Sequence, residues 1–219
     1  VINMIKSNKR VVAIFAPSIE GQFGKASIGM LKAAIKKLGF DDVFEVALGA
    51  DAVAKNEAYE LMENIKNNKK MTTSCCPAFV SMIKKHFKEL QGNISHTISP
   101  MAATARYIKD KDPNCIVVFI GPCIAKKHEI KVTNNSADFI LTFDELEAMF
   151  DARDINPNDE APNSQDGSIY GKNFAISGGV SNAVLEALSE DPSCDVDVQC
   201  KKCNGADECK KALMIMKAG

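Results

Sequence analysis

The sequence predicts an α/β fold of parallel βαβ units with helices on both faces of a sheet. Three observations predict it. Short β-rich apolar runs alternate with longer stretches of helical periodicity along most of the chain. Two of the runs, at 10–17 (RVVAIFAP) and 115–120 (CIVVFI), are continuously apolar, as buried strands are. Each is then broken abruptly by proline, glycine or serine.

In chain order, Arg10 to Pro17 reads as the first strand feeding a loop. From Gly24, Ile28, Leu31, Ile35 and Leu38 recur at helical steps until Gly39 closes the helix. Val43 to Leu48 is a second short strand, followed by a long helix from Asp51 to Asn68 with Ala54, Ala58, Leu61, Met62 and Ile65 on one face. Lys66 to Lys70 is a solvated turn, and Met71 to Ser74 is short and β-tolerant. Pro77 suits the first turn of a helix covering Phe79 to Leu90, which puts Cys75 and Cys76 at a strand-to-helix junction. Ser99-Pro100 opens a helix running through Lys109, and Cys115 to Ile120 is a strand stopped by Gly121-Pro122-Cys123. Phe139 to Thr142 is a strand, Phe143 to Phe150 a helix, and Asp151 to Gly171 a long polar loop. Phe174 to Ser177 reads as a last strand before Gly178-Gly179 and a helix from Val180 to Leu188. Pro17-Ser18, Cys75-Cys76, Cys123 and Gly178-Gly179 each follow an expected strand and are expected to share one rim of the sheet.

The 219 residues, 46% apolar and 25% charged, fit one domain or a two-lobed unit and exclude disorder, collagen and coiled coil. With 27 basic and 28 acidic residues the net charge is −1, so no global field favours nucleic acid. The longest apolar runs fall far short of a membrane span, and residues 1–10 lack the apolar core of a signal peptide. Eight cysteines without a secretion signal point to reduced thiols in a cytoplasm, used for metal binding or redox chemistry.

Two clusters carry the chemistry. In Thr73-Ser74-Cys75-Cys76-Pro77 the adjacent cysteines cannot comfortably ligate one metal atom, so they have separate roles. The helix start beyond them is expected to lower thiol pKa and to donate N–H groups toward sulfur. In Pro122-Cys123-x-x-Lys126-x-x-Glu129, the lysine lies one turn beyond the cysteine on the same face; its plain alternative is a solvated pair with Glu129. Glu57 and Glu60 share a helix face and could relay a proton through water or Ser95 toward Cys75; a solvated face is again the alternative. Cys194, Cys200, Cys203 and Cys209 are a candidate accessory metal set, Cys200-x-x-Cys203 having the spacing of a zinc or iron–sulfur knuckle. Cys115 reads as a packing residue, and His86, His96 and His128 receive no role.

TSCCP at 73–77 and PCxxKxxE at 122–129 resemble two signatures of the iron-only, or [FeFe], hydrogenase catalytic domain. Weaker likenesses run through Ala16-Pro17-Ser18, Glu57-Ala58-Tyr59-Glu60-Leu61, Ser99-Pro100-Met101 and Ser177-Gly178-Gly179-Val180. The resemblance implies that Cys76 and Cys123 ligate a 4Fe-4S cluster bearing a di-iron subcluster, and that Cys75 passes a proton to the di-iron site. It puts Glu57, Glu60 and Ser95 on the proton route. It makes Pro17, Ser18, Ser99, Pro100 and Lys126 the lining of the pocket for the carbonyl and cyanide ligands, where a buried cyanide needs cationic or N–H donors. It implies hydrogen and protons as substrates, ferredoxin or another electron carrier as partner, and neither nucleic acid nor membrane. It also implies a two-lobed domain, here with a first lobe over about 1–130 and part of a second over about 131–219.

The chain departs from the family in two places. The third signature, which supplies two further cysteine ligands, is not found, so the expectation is a fragment that is inactive and empty of a complete cluster. Gly121 stands where active members more often have methionine, which brings GPCxAKK nearer to sensory branches. A hydrogen- or redox-sensing regulator and a thiol redox protein using Cys75-Cys76 are the alternative readings.

Overall fold

The computed structural model describes residues 1–134, 136–162, 167–190 and 198–218. Its sheet has four strands: β1 (Val11–Phe15), β2 (Asp42–Glu45), β3 (Ile116–Ile120) and β4 (Phe139–Leu141), in the order β2-β1-β3-β4. Every pairing is parallel, with Val12 opposite Asp42, Val11 opposite Ile116, and Val118 opposite Phe139.

Both faces of the sheet are covered, as the apolar runs require. Val11, Ala13, Phe15, Val118 and Ile120 point to one side, against Leu31 and Ile35 of α2 (Ile28–Lys37) and Leu146 and Phe150 of α7 (Phe143–Asp151). Val12, Ile14, Val117 and Phe119 point to the other, against Met101, Ala105 and Ile108 of α5 (Pro100–Lys111). Cys115 is buried in this second core, a packing residue as expected. The helix starts follow ordinary capping chemistry. The Ser27 hydroxyl accepts from Met30 N–H at 3.3 Å, and Thr142 and Glu145 form a capping box at α7.

A second layer lies outside α5. Helix α3 (Ala47–Lys66) crosses α5 closely at Gly49, where an added Cβ would collide with the Pro100 carbonyl oxygen and the Thr104 hydroxyl. Ala54 and Ala58 of α3 then pack on Ala183, Val184 and Leu188 of α9 (Gly179–Ser189). The remaining helices are α1 (Ile2–Ile5), α4 (Pro77–His86), α6 (Ala125–Val132), α8 (Ile169–Lys172) and α10 (Gly205–Ala218). Leu213 of α10 is buried among Ile83, Phe87 and Leu90, and Lys217 pairs with Glu89 beyond the end of α4.

Several sequence expectations shift. Phe174 to Ser177 is not a strand: Asn173–Ala175 is a 3-10 turn, held close because Gly179 abuts the Asn173 carbonyl. The second strand stops at Glu45 and the long helix begins at Ala47, so Ala47 and Leu48 belong to α3. The helix after Pro77 ends at His86, and Lys88–Asn93 continues as a 3-10 segment. Met71 to Ser74 contributes only an isolated bridge, Thr72 opposite Ile94. The stretch 151–171 contains a 3-10 turn at Pro157–Asp159 and the start of α8.

Candidate functional site

Strand order places the reversal of the winding between β1 and β3. The chain leaves β1 toward β2 on one side and β3 toward β4 on the other, which opens a crevice at their carboxyl ends. Pro17 and Ser18 form a 3-10 turn immediately past β1, and Cys123 follows β3 through Gly121 and Pro122. The two exits touch, since Ala16 N–H donates to the Ile120 carbonyl at 2.8 Å. Gly121 is packed under the Phe119 ring, where a Cβ would stand 2.5 Å from its nearest atom.

The expected single rim is therefore only partly a rim. Cys75-Cys76 and Gly178-Gly179 follow no strand of the sheet. Cys75-Cys76 is instead carried by a loop pair beside α3. Thr72 N–H donates to Asn93 O at 2.7 Å, Ser95 N–H donates to Thr72 O at 2.8 Å, and the Ser74 hydroxyl donates to Thr97 O. Lys126 ties this loop to the β3 exit: its Nζ lies 3.3 Å from Cys75 O and 2.6 Å from Glu129 Oε2. The pair is no solvated contact, because the two side chains are 12% and 10% exposed. Glu129 Oε1 accepts from Ser99, whose hydroxyl also caps α5 at Ala102 N–H. Ser99, Pro100 and Lys126 thus stand in one buried cluster.

The α3 carboxylates face inward. Glu57 is fully buried, and its Oε1 accepts from Ser74 N–H at 3.1 Å. Its Oε2 is buried without a hydrogen-bond partner. Burial pushes its carboxyl pKa up, against donors on Ser74 and Ser95, and the charge of Glu60 adds to the rise. Glu60 Oε2 accepts from Ser95 Oγ at 2.6 Å, and its Oε1 lies 2.7 Å from His96 Nδ1. His96 N–H donates to both oxygens, at 2.9 and 3.1 Å. For Glu60 burial again pushes upward, but the Ser95 and His96 donors outweigh it and hold the carboxyl below its usual range.

The thiols separate by surroundings. Cys75 is pushed up to about 11 by burial first and then by the charges of Glu57 and Cys76, while Lys126 and Thr73 act the other way. This overturns the expectation of a depressed pKa there: desolvation and a neighbouring carboxylate outweigh the helix start. Cys76 is exposed at the N-cap of α4, and Cys123 is partly buried. Cys203 and Cys209 are partly buried and close enough to hydrogen bond, with Cys76 nearby; Cys200 is exposed. Cys194 lies outside the described residues. Among the described residues no group of three or more His, Cys, Asp or Glu is placed to hold a metal ion.

The sequence reading gave His96 no role, and the structure sets it against Glu60. Its only signal was position, one residue past Ser95 and within the segment that returns to α3.

The fold matches solved hydrogenase structures. A structure of the apo [FeFe]-hydrogenase of Chlamydomonas reinhardtii superimposes with a TM-score of 0.72 at 24% identity, covering 85% of this chain and 56% of that one. The sequence model of the family described as iron only hydrogenase large subunit, C-terminal domain, matches residues 9–219. The chain belongs to that family. Iron hydrogenase 1 of Clostridium pasteurianum is 30% identical over 93% of this chain and 41% of its own length. The periplasmic [Fe] hydrogenase large subunit of Nitratidesulfovibrio vulgaris is 27% identical over 83% of this chain and 50% of its own length. The chain thus spans half or less of these relatives. No helix among the described residues is long and apolar enough to cross a membrane.

Proposed function

We propose that this chain is the part of an iron-only hydrogenase that supplies two cysteine ligands and the proton route, and that the whole protein interconverts hydrogen with protons and electrons. One observation carries the reading: two inward-facing carboxylates one helical turn apart, Glu60 held by Ser95 Oγ at 2.6 Å and buried Glu57 by Ser74 N–H at 3.1 Å, stand beside Cys75 and the exposed thiol of Cys76.

The donor set fits part of an iron–sulfur site. Cys76 and Cys123 would be two of the ligands of the 4Fe-4S cluster, and the others would come from the rest of the polypeptide. When bound, that cluster and its di-iron partner supply the electrons and the site of hydrogen chemistry, with ferredoxin or another carrier as the electron partner.

The chain's own residues hold and move protons. The Cys75 thiol keeps its proton at neutral pH, so it acts as a neutral acid placed next to the cluster ligand. Glu57, with its pKa raised, keeps its proton to a higher pH than an ordinary carboxyl. Its unpartnered Oε2 is the atom that would carry the proton, since a buried acceptor without a donor is costly when charged. Lys126 fixes the Cys75 loop against the β3 exit and has a donor beyond those given to Glu129 and Cys75 O, available to an anionic cyanide in a pocket with Pro17, Ser18, Ser99 and Pro100. The free thiols suit a reducing compartment such as the cytoplasm. A high Cys75 pKa disfavours direct thiol redox chemistry, because the thiolate is the nucleophile.

Gly121 under Phe119 favours a second reading, a sensory homologue with slow turnover, because the residue before Pro122-Cys123 brings no side chain to the pocket. Iron and sulfide analysis with EPR after anaerobic reconstitution, on this chain and on a longer one carrying the family's third cysteine signature, tests both. A 4Fe-4S signal confined to the longer chain, followed by hydrogen turnover, is the expected result. Cluster without turnover selects the sensor. Uptake of four irons by the 219-residue chain alone overturns the two-ligand assignment and points to the cysteines at 194–209.

A further inference from the structure

The proton route needs a way in from water, and Glu60, 18% exposed in its side chain, is largely covered. On its outer side it meets the imidazole of His96, whose own side chain is 88% exposed. The two oxygens of Glu60 are divided between solvent side and interior. Oε1 faces His96 Nδ1 at 2.7 Å, while Oε2 takes the Ser95 hydroxyl at 2.6 Å, with the Thr97 hydroxyl at 3.4 Å. The backbone N–H of His96 fixes the carboxylate in this pose independently of the ring. The ring therefore adds something that positioning does not require: an imidazole exposed on one side and in contact with a carboxylate on the other.

We propose that His96 is the proton-collecting residue of this chain, exchanging protons with solvent buffer and passing them to Glu60 Oε1. The proposal rests on the hydrogenase reading for its purpose, though not for its contact. The step balances without any redox partner. A buffer acid protonates the outward ring nitrogen to give imidazolium, and the inward N–H passes its proton to Glu60, leaving a neutral ring with its proton on the outer nitrogen. Proton exchange of the exposed ring with solvent, one proton leaving the outer nitrogen and one joining Nδ1, then restores the N–H facing Glu60 and leaves the outer nitrogen bare for the next proton. Outward flow is the same sequence reversed. The ionisable groups bearing on Glu60 are His96 from the loop and Glu57 from the same helix. At neutral pH a carboxylate collects protons poorly from dilute hydronium, whereas an imidazole takes them from the far more abundant buffer acid.

Two measurements decide it. In this 219-residue chain, carbon-detected NMR of the Glu60 carboxyl follows its titration in the wild type and in His96→Ala. The expected result is a midpoint moved upward in the variant, because one donor to the carboxylate is gone while the backbone donor stays; an unmoved midpoint removes the contact and with it the proposal. In the cluster-loaded complete hydrogenase, His96→Ala should retain its iron and slow proton reduction at low buffer concentration by roughly tenfold or more, with recovery on adding imidazole. His96→Asn, which keeps a side-chain donor for Glu60 but cannot relay, should be slow in the same way. Equal rates and equal buffer dependence in wild type and variants overturn the proposal. A loaded wild type that does not turn over overturns the hydrogenase reading instead, and His96 is then judged by the Glu60 titration alone.

Discussion

At neutral pH Glu57 is a buried carboxyl in a place built more for its neutral form than for its charge. Its folded pKa lies above the ordinary 4.5, so over the interval between the two the folded chain keeps a proton that the unfolded chain has released. Stability from this group is complete below about pH 4 and declines as pH rises through the folded value. Glu57→Gln removes the decline. Denaturant midpoints should show the variant more stable than wild type at pH 8, and the two converging near pH 4. Glu60, depressed by its donors, has the opposite sign: its contribution is present above the ordinary value and lost as pH falls. Opposite shifts on residues one helical turn apart are what sequence could not display. The shared face of Glu57 and Glu60 was legible from their spacing, but the difference between them is made by Ser95 and His96, which arrive from a loop more than thirty residues away. The same holds for the thiols. TSCCP led to an expectation of two roles, and the structure gives the two thiols different surroundings, Cys75 beside Glu57 and Cys76 exposed. In the complete protein, Cys75→Ala should keep the cluster and lose proton turnover, while Cys123→Ala should lose the cluster, as read by iron and sulfide content. Equal iron loss in both contradicts the division.

The elements that hold these residues depend on two close contacts. At the α3 and α5 crossing, Gly49 leaves no room for a methyl group against Thr104 and the Pro100 carbonyl. Gly49→Ala should push α3 away from α5, cost about 1–3 kcal/mol in thermal or denaturant unfolding, and lengthen the Glu60 to Ser95 contact. At the other contact, Leu213 buries its side chain against α4. Leu213→Ala should cost about 2–5 kcal/mol and raise amide hydrogen exchange along α10 before it does so in the sheet. Periodicity revealed α2 and α3 because each lays a continuous apolar stripe on a neighbour, while Ser99-Pro100 and Gly178-Gly179 marked the starts of α5 and α9. It misread Phe174 to Ser177 because an apolar, β-tolerant tetrapeptide is equally content in a 3-10 turn, and the deciding fact is the tight seat of Gly179 on Asn173. The helix α10 was not recognised as an element at all, and it owes its position to tertiary burial of Leu213.

For the whole molecule, the parallel sheet with covered faces was legible because β1 and β3 are too apolar to face water on either side. Strand order was not, since nothing local says that β3 lies beside β1. That pairing joins Val11 to Ile116, Val12 to Val117 and Phe15 to Ile120, positions 105 residues apart in the chain. Partners so distant in sequence meet late, and refolding of this chain followed by stopped-flow fluorescence or circular dichroism should occupy milliseconds to seconds rather than microseconds. Timing then bears on metal loading. Until β3 docks on β1, the exits that carry Pro17 and Cys123 do not exist as neighbours, and Lys126 cannot anchor the Cys75 loop. A nascent chain therefore passes through a period in which its thiols are unprotected and unpaired with one another. Iron offered during that period would meet single cysteines, and an oxidant would meet reactive ones. On the hydrogenase reading, pairing of the two central strands must then come before cluster insertion.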